Sequence, residues 1–187
     1  TMPPKIKIQK QDIITAAVNL VREQGESALN ARNIASSLNC STQPVFSNFA
    51  TMEELRSAVI EAAETLCDAY ITREVEKAEY PPYKASGMAY IRFAKEETEL
   101  FKLLYMRDRS SETIPEETAQ NSRMERIVHE NTGLEGDDTR LFHLEMWAYV
   151  HGIATMTATG FCHLDRELIS KMLTDAYLGM KKHYGLE

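Results

Sequence analysis

Asn30–Phe49, NARNIASSLNCSTQPVFSNF, is the stretch whose reading decides the fold. It gives two short helices joined by a tight turn. Ile34, Leu38 and Val45 are its apolar positions, and Ala35 supplies the small side chain that lets two helix axes cross at close range. Asn39 falls where the first helix must reverse, and Asn is the residue after Gly that best tolerates a left-handed backbone. Asn30 is a competent N-cap for the first helix, and Ser41 or Thr42 for the second. Pro44 then lies in the first turn of the second helix, where its missing N–H costs little. The pattern is a helix-turn-helix with its second helix presented outward.

Outward from this unit, Ile13, Ile14, Ala17, Leu20 and Val21 recur at helical spacing and predict a first helix from Lys10 that stops at Gly25. Ile14, Ala17 and Val21 are the residues expected to pack beneath the helix-turn-helix. Before it, Met2 to Gln9 carries Pro3, Pro4, Lys5 and Lys7 and reads either as a basic arm touching nucleic acid or as a disordered terminus. After it, Thr51 and Glu54 form a capping-box signature that opens a long helix from Met52 to about Ala78. Its apolar positions are Leu55, Val59, Ala62, Leu66, Ala69 and Tyr70, and Pro81-Pro82 is expected to end it.

Five further helices follow. Lys84 to Lys95 is apolar almost all round and reads as a central buried helix. Thr98 to Met106 comes next, then a polar loop from Arg107 to Pro115 and a helix from Glu116 to Asn131 with a sparse apolar stripe, Met124, Ile127 and Val128. A helix from Asp138 to about Thr159 carries Phe142, Met146, Tyr149, Ile153 and Met156 on one face and Ala148, Gly152, Thr155 and Thr159 on another. The last, Asp165 to Tyr184, opens with Asp165 as its cap. Both final helices have more apolar surface than one compact body needs. That surplus is read either as intramolecular core or as the interface of a four-helix dimer.

Composition bounds the function. With 43% hydrophobic and 26% charged residues the chain is of ordinary globular type. No apolar run reaches the roughly 18 residues of a membrane helix, and the N-terminus lacks a signal-peptide core, so a cytoplasmic protein without a membrane partner is expected. Cys40, Cys67 and Cys162 are odd in number and far apart, which points to neither a disulfide framework nor a thiolate metal site. Cys162-His163 alone is too few ligands for a metal. Residues 1–55 hold five basic and five acidic residues, so the whole net charge of −7 lies beyond them. A neutral head on an acidic body has the sign expected of a nucleic-acid reader with few phosphate contacts. Gly-rich phosphate loops, G-x-S-x-G and His-Glu-x-x-His are all missing, so no enzyme, catalytic residue or cofactor is expected.

Asn30-Ala31-Arg32-Asn33-Ile34-Ala35, then Asn39-Cys40-Ser41, Phe46, Phe49 and Glu53-Glu54-Leu55 resemble the DNA-binding domain of TetR/AcrR-type transcriptional regulators. The family pattern is T-x-R-x-I-A, G-V-S, Y-x-x-F and K-E-x-L, in that order. The resemblance covers the first third of the chain. Here Asn30 stands for the family's Thr, Asn39 for Gly, Phe46 for Tyr and Met52 for Lys. The first two substitutions keep their structural roles; the last two remove a hydroxyl and an ammonium that reach phosphates in the family. The resemblance implies an all-α fold of about nine helices. A three-helix helix-turn-helix DNA-binding domain (residues 1–55) is joined by the long helix to a helical effector-binding and dimerisation domain (residues 56–187). It also implies a homodimer through the last two helices, which sets two recognition helices about 34–36 Å apart on a palindromic operator.

The residues expected at double-stranded DNA are Lys10, Arg32, Ser41, Thr42, Gln43, Pro44, Phe46, Ser47, Asn48 and Thr51. Gln43 and Asn48 suit adenine edges, while Thr42 and Ser47 suit phosphates or thymine methyls. Phe46 packs on the sugar–phosphate side or joins the core, and the polar set otherwise forms a solvated face. In the body, Met88, Arg92, Phe101, Tyr105, Met124, His143, Trp147 and His151 are the candidates for a pocket taking a largely apolar small-molecule effector. Ordinary core is the competing reading for each. Arg92 and Glu145 are charges inside apolar stretches; they pair with each other or with neighbours, or they orient the ligand. The function expected is a ligand-responsive repressor released from its operator by the effector. The other reading is an all-α small-molecule binding or interaction module that no longer reads DNA, suggested by the neutral head, Phe46 and Met52.

Overall fold

The computed structural model describes residues 8–110 and 119–186. The basic arm at Pro3, Pro4, Lys5 and Lys7, the loop at residues 111–115 and the helix start expected at Glu116 fall outside them. Among the described residues there are nine α-helices, one short 3-10 turn at Glu26–Ala28 and no strand. The helices are α1 (Lys10–Gln24), α2 (Ala31–Ser37), α3 (Gln43–Asn48), α4 (Met52–Glu76), α5 (Pro82–Glu96), α6 (Thr98–Tyr105), α7 (Ala119–Thr132), α8 (Gly136–Ala158) and α9 (Arg166–His183). The all-α expectation therefore holds.

The chain divides into two compact units. One ends at Leu66 and takes in Glu97–Arg107, so α6 packs with α1 in the unit that carries the helix-turn-helix. Arg22 Nε donates to Glu97 at 2.6 Å, and the Glu99 carboxylate lies against Gly25, whose positive φ of 80° breaks α1. The core of this unit is Ile13, Ala17, Leu20 and Val21 of α1, Ile34 and Ala35 of α2, Val45 and Phe49 around α3, Leu55, Val59 and Ala63 of α4, and Leu100 and Phe101 of α6. Ile14 is only half-buried.

The other unit comprises Cys67–Glu96 and the residues from Asp108 onward. Its centre is α5, buried at Ala85, Met88, Ala89, Ile91, Phe93 and Ala94 and packed mainly on α8. Gly87 lets the helices come together: a Cβ there would meet Leu173 Cδ1 at 3.2 Å and Val150 Cγ2 at 3.4 Å. Asp165 caps α9 as expected, accepting from the Leu168 amide at 2.8 Å.

Two expectations along α4 need correction. Its buried stripe is Leu55, Val59, Ala63, Cys67 and Ile71, stepping by four, while Ala69 is exposed. Its stop is not the proline pair. The helix ends at Glu76, the Ala78 amide donates to the Val75 carbonyl at 3.1 Å, and Ala78 takes a left-handed φ of 52° that reverses the chain. Pro82 instead opens α5, where a fixed φ and a missing N–H suit a first turn.

Candidate functional site

The turn of the helix-turn-helix is closed by two backbone bonds. The Cys40 amide donates to the Ala35 carbonyl at 2.9 Å and the Asn39 amide to the Ser36 carbonyl at 3.1 Å, with Asn39 at φ 51°. This is the Schellman arrangement, and Asn39 occupies its left-handed position. Asn30 caps α2 by accepting from the Asn33 amide at 2.9 Å. Thr42 sits at the cap position of α3 but its side chain makes no capping bond. Pro44 lies in the first turn of α3, half-buried. Val45 and Phe49 anchor the helix, each about 1% exposed.

What α3 then presents differs from the polar row expected. Ser47 Oγ donates to the Gln43 carbonyl at 2.9 Å and Asn48 Nδ2 to the Pro44 carbonyl at 2.8 Å, so both donors turn back onto their own helix. Gln43 and Phe46 are exposed beside each other, Phe46 at 55%, and Phe46 is outside the core. Ser41, Thr42, Arg32 and Thr51 are exposed around the same unit. Thr51 Oγ1 accepts from the Glu54 amide at 3.1 Å, which is the expected half of the capping box. The other half shifts by one residue, because the Glu54 carboxylate takes the Ala50 amide at 2.8 Å. Lys10 is held too: its Nζ is 3.2 Å from Glu54 and lies 4.7 Å over the Phe49 ring. The Ala50 amide, then Lys10, hold the Glu54 carboxyl below the usual range.

In the body the candidates fall into separate groups. Phe101 and Tyr105 belong to α6, with ring centroids 5.1 Å apart. Met88, Met124 and His143 are buried in the other unit. Trp147 stacks on His151 at 4.8 Å and remains 42% exposed. The two histidines are joined to tyrosines of α5 that the sequence reading did not single out: Tyr83 Oη lies 3.0 Å from His143 Nδ1 and Tyr90 Oη 2.9 Å from His151 Nδ1. Tyr83 and Tyr90 are one heptad apart, which is the signal that would have found them. Burial pushes both phenols up, so each stays protonated and shares one hydrogen bond with the Nδ1 of its imidazole.

The same burial lowers the pKa of His143 and of His151. The unfolded chain therefore takes up a proton that the folded chain resists, and stability falls as pH drops below the ordinary histidine value of 6.5 toward the folded one. Thermal melts are expected to be flat from pH 8 to 7 and to move downward below that value; a transition unchanged at pH 5.5 would contradict the burial argument.

Arg92 does not pair with Glu145, which is exposed. Its partner is Glu74, another residue the sequence reading passed over, 3% exposed at the end of the α4 stripe. Glu74 accepts from Arg92 Nη1 at 2.7 Å, Lys77 Nζ at 2.9 Å and Arg166 Nη2 at 3.1 Å. Burial raises its carboxyl, but the Lys77 bond and the Arg92 and Arg166 charges outweigh that and hold it below the usual range. Elsewhere, an open cleft of about 420 Å³ lies at α7 and the start of α8, lined by Ser122, Glu125, Arg126, His129, Glu135, Gly136 and Thr139. None of the effector candidates lines it. Among the described residues, no group of three or more His, Cys, Asp or Glu is placed to hold a metal, and no helix is long and apolar enough to cross a membrane.

A helix-turn-helix with an exposed second helix, followed by a long α4 and an all-helical body, defines an all-α protein of the helix-turn-helix class. The family described as "Tetracyclin repressor-like, C-terminal domain" matches residues 83–177. Solved structures share the fold. A TetR-like transcriptional regulator from Rhodococcus sp. RHA1 aligns over 99% of this chain and 100% of its own, with a TM-score of 0.68 and 14% identity. A protein of unknown function from the same organism gives 0.74 and 23% over 96% and 98%. The multidrug binding protein EbrR, complexed with imidazole, gives 0.57 and 17% over 89% and 88%. No curated protein matches the chain. The chain belongs to the TetR family of transcriptional regulators.

Proposed function

We propose that this protein is a homodimeric repressor that binds a palindromic operator in the cytoplasm and is released by a small, largely apolar effector. The observation that carries the DNA-reading part is α3 itself, held on a fully hydrogen-bonded turn with Gln43, Phe46 and Ser47 outward. An element that enters a groove must be rigid and exposed, and this one is both.

The last two helices support the dimer. α8 exposes Leu141 and Leu144, 46% and 56% accessible, and α9 exposes Leu168 and Leu178, 43% and 55%. Gly152 of α8 and Gly179 of α9 lie on these faces, and beyond the backbone of their own helix nothing comes within 4 Å of where a Cβ would stand. Helix-interior glycines over open space are unfavourable in a monomer and useful where another helix crosses closely. The multidrug-binding relative supports a small-molecule effector, whose seat is among Met88, Met124, His143, Trp147 and His151 of the second unit. α4 runs without interruption from one compact unit into the other, so a bias at its body end reaches the heads. The coupling is no larger than the effector's difference in affinity for the two states.

A gel shift at low salt on the DNA flanking the protein's own gene tests the reading. Specific retardation is expected, and Gln43→Ala should weaken it about tenfold or more at unchanged melting temperature, since a bidentate base contact contributes about 1–3 kcal/mol. A chain that shifts no DNA while still binding a small molecule would be the interaction module instead.

A further inference from the structure

The recognition helix carries no charged residue, and two of its three polar side chains each donate a hydrogen bond back to their own helix. Ser47 Oγ is bonded to the Gln43 carbonyl and Asn48 Nδ2 to the Pro44 carbonyl. A further polar side chain, Thr42 at the cap, makes no capping bond, and Gln43 remains exposed. Beside Gln43 stands Phe46, 55% exposed on the outward face, while its neighbours Val45 and Phe49 are 1% exposed and serve as the anchors. Phe46 is thus redundant for holding α3 in place. It has no hydroxyl for a phosphate and no donor for a base edge. The major groove offers one apolar feature that such a ring can recognise, the 5-methyl group of thymine.

We propose that Phe46 is a specificity-determining residue that reads a thymine methyl in each half-site, next to the base contacted by Gln43. The inference rests on the DNA-reading function proposed above. It shifts part of the readout from hydrogen bonds to apolar contact. Cytosine has no methyl at this position and uracil differs from thymine by that methyl alone, so the contact distinguishes both from thymine.

The test uses the full chain. Sites are selected from a random duplex library, and each thymine of the selected site is then replaced by uracil, one position at a time. One symmetric pair of thymines is expected to lose about fourfold in affinity per methyl, the worth of one buried carbon. Phe46→Ala should abolish that thymine-over-uracil preference while leaving the melting temperature and the preference at the Gln43 position unchanged. Restoring the methyl with 5-methylcytosine opposite guanine should recover part of the contact for the native chain and none for Phe46→Ala. Equal binding of uracil and thymine at every position, or a preference that survives Phe46→Ala, would overturn the proposal and leave the DNA-reading function standing. Enrichment of no sequence at all would overturn both.

Discussion

Glu74→Ala is expected to destabilise the body by about 3 kcal/mol, the lower end of what removing one partner of a buried ion pair costs. The carboxylate is 3% exposed and faces three cations, of which Arg92 is the least accessible at 29%. Its removal leaves the Arg92 guanidinium with Glu96 at 3.9 Å and the Tyr70 ring at 5.0 Å, and Arg92 Nε already lacks a hydrogen-bond partner. Lys77 and Arg166 reach water and lose less, being 45% and 56% exposed. For a chain of this size the loss corresponds to a melting temperature lower by about 6–12 °C. Glu74→Gln keeps the shape and one accepting oxygen and should cost less. Because the folded carboxyl is held low, its contribution is present above the ordinary value of 4.5 and is lost as pH falls through the folded one. An alanine variant that melts with the native chain at pH 7.5 would show that the three cations are equally well solvated without it.

Gly152→Glu is expected to split the proposed dimer and leave each subunit folded. Beyond the backbone of its own helix nothing lies within 4 Å of the position of its Cβ, so the monomer accommodates a side chain there, and glutamate is a better helix former than glycine. In a dimer built on this face the two-fold axis brings the face against a neighbour at helix-crossing distance, and each copy would bury an unpaired carboxylate. A penalty of several kcal/mol weakens association by at least about 100-fold. Size exclusion should show half the native mass, and operator binding should fall with it because one head reads only a half-site. Elution unchanged from the native protein would remove α8 from the interface.

Much of the fold was legible because local rules and global packing agree. Asn30, Asn39, Asp165 and Gly25 act within a turn of their own position, so their roles as caps and stops follow from residue type. The proline pair failed for the same reason in reverse. Pro81-Pro82 marks a boundary without saying which side of it is helix, and Ala78 had already reversed the chain. The recognition helix was legible as an element and not as a surface. Whether Ser47 and Asn48 face DNA or bond to carbonyls of their own helix is a choice of side-chain torsion, which residue type alone does not set.

The helix order, the capped turn and the family pattern could be read along the chain, because they rest on residues close to one another in it. That α6 packs on α1, that Arg92 answers Glu74 and not Glu145, and that Tyr83 and Tyr90 hold the two histidines came from folding alone. Those pairings join residues from 18 to 75 positions apart. Their partners are chosen by which helix faces meet, and no local spacing records that.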